Sequence, residues 1–176
     1  MKYSIIKGDL IQEALNGRFD VITHGCNTQC TMASGLAPQM AKAFGCDIFP
    51  MEQYSSINKL GCIDSKVFAY VQGSRFTLTP DNIESFRHSK KFDMILTVVN
   101  SYTQAFPGRP LLGSIPLDYI SMRLCFRKIN YLFKDKILGL PYMIGCGLAG
   151  GDIDTVKSLI LYECKDLKEI VFCDIN

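Results

Sequence analysis

The sequence predicts a single α/β domain: a three-layer α/β/α sandwich around a mixed, largely parallel central sheet. Three observations predict it. Strand-like apolar runs alternate with helix-periodic stretches along the chain. The run FDMILTVVN is apolar enough for a sheet centre covered on both faces. The 176 residues, 48% hydrophobic and 20% charged, suit one domain with its own core. No internal repeat or long linker divides residues 1–176 into smaller units.

Each element follows in order. Tyr3 to Lys7 reads as a first or edge strand, and Leu10 to Leu15 as a helix-like stretch. Asp20 to His24 (DVITH) is a β-branched strand that runs into the polar, small-residue loop CNTQCTMASG. Leu36, Met40, Ala43 and Phe44 then fall at helical spacing. Lys66 to Val71 and Phe92 to Asn100 are strands. Between them, GSRFTLTPDNIESFRHSKK is polar and carries the turn signal Pro80-Asp81-Asn82. Residues 73–91 are therefore expected outside the central sheet, as a polar loop or edge hairpin. After AFPGRPLLG, a helix from Leu117 to Phe133 shows Leu117, Ile120, Leu124, Ile129 and Leu132 in a roughly helical rhythm. Ile137 to Ile144 is a further strand, in which Pro141 is out of place for a central position. Asp152 or Asp154 caps a helix through Val156 to Leu161, and Lys168 to Asp174 is the last strand.

Composition excludes several classes. A net charge of +2, with 17 acids against 19 bases, gives no electrostatic case for nucleic acid. No apolar run reaches the ~18 residues that span a bilayer, and MKYSIIKGDL lacks a signal-peptide core, so no membrane partner and a cytoplasmic location are expected. The eight cysteines stand at 26, 30, 46, 62, 125, 146, 164 and 173. Cys26 and Cys30 form a CxxxC pair, but no second close pair completes a zinc pattern. Most of the eight sit in apolar runs such as RLCF, IGCG and VFCD, where a free thiol behaves as a small buried hydrophobe. Neither a metal nor a cofactor is expected.

In parallel α/β sheets, ligands collect at the carboxyl ends of strands. Three clusters fall there: Gly8-Asp9-Leu10, His24 to Ala37, and Gly145 to Asp152. The last belongs to PYMIGCGLAGGD, which places four of the chain's 14 glycines within seven residues. Either the turn is sterically tight, or a ligand must sit against the backbone. Two loops, each leading into a helix, can aim amides at one diphosphate. Gly145, Gly147 and Gly150 spell GxGxxG, but late in the chain and without the acid about 20 residues on that a nicotinamide site needs.

Taken in order, GDL, HGCN at a strand end, the SGLA loop and IGCGLAGGD before a helix resemble the macrodomain family. The resemblance spans roughly residues 2–48 and 92–174. VVNSYTQ (98–104) is similar to the strand-end segment of the branch that acts on ADP-ribose 1″-phosphate. It implies an α/β/α sandwich that binds ADP-ribose or a derivative. It further implies hydrolysis of ADP-ribose 1″-phosphate or a related ADP-ribosyl substrate, or else a non-catalytic binding module.

Carried over residue by residue, the resemblance assigns Asp9, with Leu10, to the adenine edge; a helix N-cap is the compatible alternative. Asn27 matches the asparagine that meets the distal ribose, against an Asx turn. Ser34, Gly35, Leu36 and Ala37 match the first phosphate loop. Gly145, Cys146, Gly147, Leu148, Ala149 and Gly150 match the second. His24 matches a catalytic histidine of the phosphatase-like branch, titrating near the ordinary ~6.5 with a shift from its surroundings. Its alternative is a strand-end residue that orients Asn27. SYTQAFPGRP offers no acid partner, so Asp152 is the substitute, with helix capping as its alternative. The branch that removes ADP-ribose from glutamate uses a lysine and a loop-two aspartate. Here SYTQ has no lysine and Ala149 stands near the aspartate position, which disfavours that chemistry.

Overall fold

The computed structural model describes residues 2–89, 92–109 and 113–175. Its strands are β1 (Lys2–Lys7), β2 (Val21–Asn27), β3 (Ile63–Val71), β4 (Ser74–Leu78), β5 (Met94–Gln104), β6 (Ile137–Pro141) and β7 (Glu169–Asp174). Its α-helices are α1 (Leu10–Leu15), α2 (Ala37–Phe44), α3 (Pro80–Ser89), α4 (Tyr119–Leu132) and α5 (Ile153–Glu163). The strands form one seven-stranded sheet in the order β1-β7-β6-β2-β5-β3-β4. Neighbours from β1 to β5 pair in parallel, while β3 runs antiparallel to both β5 and β4.

Side chains alternate across the pleat, so each central strand feeds two cores. Val21, Val99, Leu138, Leu140, Ile170 and Phe172 pack under Met122, Phe126 and Ile129 of α4 and Val156 and Ile160 of α5. Ile22, Leu96, Val98, Val171 and Cys173 pack under Leu10, Ile11 and Ala14 of α1 and Met40 and Phe44 of α2. The result is the expected three-layer sandwich with a mixed sheet. Asp9, Asp118 and Asp152 cap α1, α4 and α5 through their side chains, each satisfying an amide that the helix leaves open. Glu163 on α5 ties the two helices of one layer together by receiving Arg123 and Arg127 of α4.

The middle of the chain meets expectation in part. Ser74 to Leu78 is the outer arm of an edge hairpin with β3, one of the two forms expected, and so joins the sheet as its outermost strand. Val71 pairs with Ser74, and Gln72 and Gly73 both take positive φ (50° and 77°), the two-residue hairpin turn that matches sheet twist. Pro80-Asp81-Asn82 opens α3 instead of making a turn, since proline's fixed φ suits the first helical position. Lys90 and Lys91, and Pro110 to Leu112 of AFPGRPLLG, lie outside the described residues.

Two strands run further than expected, β2 through Asn27 and β5 through Gln104, while β6 stops at Pro141. Pro141 is tolerated because β2 and β6 pair only at Val21–Leu138 and Ile22–Gly139 and then part. Beyond that point β6 has a partner only on its β7 side, where Pro141 faces Cys173. The parting opens a crevice at the carboxyl ends of the parallel strands. Among the described residues, no helix is long and apolar enough to cross a membrane, and no group of three or more His, Cys, Asp or Glu is placed to hold a metal.

Candidate ligand-binding cavity

A cavity of about 510 Å³ occupies that crevice. The ends of β2, β5, β6 and β7, together with the turn after β1, contribute to its wall. Asp9, Leu10, His24, Asn27, Ser34, Gly35, Leu36, Ala37, Gly145, Gly147, Leu148 and Ala149 all line it. Twelve of the fifteen residues named from the sequence are thus brought together, across more than a hundred positions of chain. Cys146, Gly150 and Asp152 are not part of the wall.

Two stretches of backbone present amides to this space. Leu36 caps α2 without a side-chain hydrogen bond, and Pro38 in the first turn has no N–H to offer. Among the described residues, the amides of Gly35 and Leu36, and those of Leu148 and Ala149, donate to no protein acceptor. The positive end of α2 adds to the first group. An anion is what such paired sets of open donors can hold.

The four clustered glycines divide by role. Gly145 and Gly150 take positive φ (71° and 72°), which a side chain would strain. At Gly151 a Cβ would lie 2.4 Å from Leu117 Cδ2 and 2.7 Å from the Gly145 carbonyl oxygen, so the turn closes only without one. Gly147 differs: nothing lies within 4 Å of its would-be Cβ, and its φ is not in the left-handed region. Three glycines build the turn, and the fourth leaves room.

Asp9 lines the cavity while its Oδ1 accepts from the Gln12 amide at 2.9 Å, so capping α1 and facing the pocket coexist. Asn27 lines it as well, but its side chain is already engaged. Its Nδ2 donates to the Thr31 carbonyl (2.8 Å) and Thr31 Oγ1 (3.0 Å), and its Oδ1 accepts from the Gln29 amide (3.1 Å). The Asx turn read from the sequence is therefore present, and it shapes the loop that carries Thr31 and Met32 into the wall.

His24 is buried and sits directly opposite Asn100 across β2 and β5. Asn100 Nδ2 donates to the Cys46 carbonyl (2.9 Å), which turns Asn100 Oδ1 toward His24 Nε2 (2.9 Å). The proton is thus assigned to Nε2, and Nδ1 keeps its lone pair. Burial outweighs the Asn100 hydrogen bond and lowers the His24 pKa to about 4. A titration near the ordinary histidine value is corrected by this: the ring is neutral at pH 7. Asp152 is an exposed cap whose Oδ1 receives the Thr155 amide (2.8 Å) and hydroxyl (2.6 Å), and those bonds lower its pKa. The partnership of His24 with Asp152 expected from the sequence is not one that the geometry assembles.

The cavity holds a carboxyl group that sequence reasoning missed. Glu52 lines the wall at 8% exposure, and its Oε1 accepts the Tyr102 hydroxyl at 2.5 Å. Burial raises its pKa, against the pull of the Tyr102 bond and of Lys59. In the sequence Glu52 lies in FPMEQY, a stretch with no periodicity or motif. The only signal was the alternation in NSYTQ, which puts Asn100 and Tyr102 on one face, in line with Leu96 and Val98.

No family model matches the chain. An uncharacterized 17.5 kDa protein from the tk-vs intergenic region of Enterobacteria phage T4 is 29% identical over 177 residues, covering 96% of this chain and 94% of that protein. A Bacteroides thetaiotaomicron protein of unknown function superposes with a TM-score of 0.63 at 22% identity, covering 98% of each chain. The macrodomain of Thermus aquaticus DarG gives 0.59 at 16% identity, covering 97% of each. A Trypanosoma brucei macrodomain in complex with ADP-ribose gives 0.57 at 13% identity, covering 99% of this chain and 64% of that one. The architecture described above is the macrodomain fold.

Proposed function

We propose that this chain is a macrodomain that binds ADP-ribose or a close derivative in the cavity. One observation carries the reading. Two sets of backbone amides without protein acceptors, at 35–36 and 148–149, line one cavity at the carboxyl ends of parallel strands. The diphosphate lies between those loops, the adenine toward Asp9 and Leu10, and the distal ribose toward Asn27 and Thr31. The ADP-ribose complex of a protein with this fold supports the choice of nucleotide. Calorimetric titration with ADP-ribose tests it, and absence of heat at millimolar ligand refutes it.

We further propose turnover of ADP-ribose 1″-phosphate or a related ADP-ribosyl substrate, with Glu52 moving the proton. Burial raises its pKa, which makes it a stronger base than an ordinary carboxylate and suits it to take a proton from water. For the phosphate ester, water attacks phosphorus, Glu52 takes its proton, the bond from phosphorus to O1″ breaks, and O1″ regains a proton. The neutral His24 ring positions the floor of the site through Asn100 rather than supplying acid. A phosphate-release assay checks this: Glu52→Gln lowers the rate by ~10² or more and leaves ADP-ribose affinity within a few fold. A second reading, a binding module without turnover, is favoured by the placement of Asp152 outside the cavity wall. Wild-type protein that binds ADP-ribose but releases no phosphate selects it.

A further inference from the structure

Lys59 is buried at 2% exposure, on the short helical turn Ile57–Lys59. Its ammonium has three hydrogens to place. Two go to the carbonyls of Met51 (2.8 Å) and Tyr54 (2.6 Å), and the third meets Cys30 Sγ at 2.7 Å. The faces of Tyr102 (4.7 Å) and Tyr54 (5.0 Å) complete the enclosure. Cys30 is half-buried, and its Sγ also lies 2.9 Å from the Tyr54 carbonyl oxygen. Among the described residues, no other thiol has a lysine nitrogen at hydrogen-bond distance. Burial pushes the thiols of Cys26, Cys46, Cys125, Cys146, Cys164 and Cys173 up and leaves them unreactive. Cys30 differs from them in being partly exposed and in touching a lysine nitrogen.

We propose that Cys30 and Lys59 form an oxidative modification site, at which a peroxide links sulfur to nitrogen. In the first step the thiol attacks the peroxide, the O–O bond breaks, and Cys30 becomes a sulfenic acid with release of water (for hydrogen peroxide). Sulfur is oxidised by two electrons and the peroxide is reduced. In the second step the Lys59 amine, having released a proton, attacks sulfur. The S–O bond breaks, hydroxide leaves as water with a proton from nitrogen, and an S–N bond forms. The nitrogen already touches the sulfur, so condensation outruns further oxidation of Cys30. The bond ties the 27–31 turn, and with it the Asn27 and Thr31 wall of the cavity, to the segment that carries Lys59. The site does not depend on which nucleotide the cavity holds.

The test uses the full-length protein, reduced, exposed to hydrogen peroxide, and digested with trypsin without reductant before mass spectrometry. A joined peptide pair containing Cys30 and Lys59 is expected, lighter by ~2 Da than the sum of the two, with cleavage after Lys59 lost. Dithiothreitol restores the separate peptides. Cys30→Ser abolishes the pair. Lys59→Met abolishes it too and lets Cys30 proceed to the sulfinic acid. Wild-type protein that shows Cys30 as sulfinic acid with Lys59 still cleaved overturns the proposal, and this digest needs no variant to fold. A linked species that persists in Lys59→Met also overturns it.

Discussion

Gly147→Glu places a carboxylate where the proposed diphosphate lies. A Cβ at this position meets nothing within 4 Å and the backbone φ is not left-handed, so the fold tolerates a side chain there. The melting temperature is expected to stay within about 2 °C of wild type, the response to a few tenths of a kcal/mol in a chain of this size. Binding responds differently. Two like charges about 4 Å apart repel by about 4 kcal/mol at the effective dielectric of ~20 typical near a protein surface. That alone is roughly a thousandfold in affinity, before the volume of the side chain is counted. Gly147→Ala adds one methyl group to open space and should change affinity by no more than a few fold. Calorimetry with ADP-ribose on all three proteins, with circular dichroism for the fold, measures the series. Gly147→Glu protein that is folded and binds with unchanged affinity removes the diphosphate from this loop.

Asp9→Ala should cost about 1 kcal/mol of stability through loss of the α1 cap, and roughly ten- to a hundredfold in ADP-ribose affinity. Equal loss for adenine and guanine nucleotides would reduce Asp9 to a cap. His24 contributes acid sensitivity: its folded pKa of about 4 lies below the ordinary 6.5. Its contribution is therefore complete above about pH 6.5 and is lost as pH falls toward 4, by at most about 3 kcal/mol. In urea denaturation, His24→Gln should flatten the stability profile across that window. Glu163, whose pKa is lowered first by its hydrogen bond to Arg127, acts further down: its stabilisation is present above the ordinary carboxylate range and fades below it. Glu163→Gln should cost about 1–3 kcal/mol at pH 7 and progressively less as the pH falls below the ordinary carboxylate range. A constant difference across pH would mean that the pair with Arg123 and Arg127 is not electrostatic in effect.

The layers, the strand order's parallel character and most of the cavity wall were legible because periodicity and glycine clustering report local demands directly. FDMILTVVN had to be central, and IGCGLAGGD had to be either a turn or a ligand loop; it is both. What escaped was set by contacts between distant segments. Glu52 becomes a cavity carboxyl only because Tyr102 reaches it across fifty residues of sequence. The tautomer of His24 depends on an Asn100–Cys46 carbonyl bond that orients one amide group, and its neutrality on burial between segments distant in sequence. Pro80 was misread because proline serves a turn and a helix start equally well, and only the chain after it decides. Residues 74–78 are short and polar, the usual character of an edge strand, and polarity alone does not separate an edge strand from a loop.

The pairing of β1 with β7 also dictates when the protein can fold. Lys2 to Lys7 pairs with Glu169 to Asp174 and with no other strand, so its ladder partner is the last of the seven strands to be made. A nascent chain leaving the ribosome carries an unpaired first strand until residue 174 has emerged. The Asp9 corner of the cavity rests on that strand and is completed only then. Closing so long a loop is slow, and an unsatisfied strand edge invites association with other chains meanwhile. Truncation before β7 should therefore yield aggregation-prone protein with an incomplete Asp9 corner, rather than a smaller working domain.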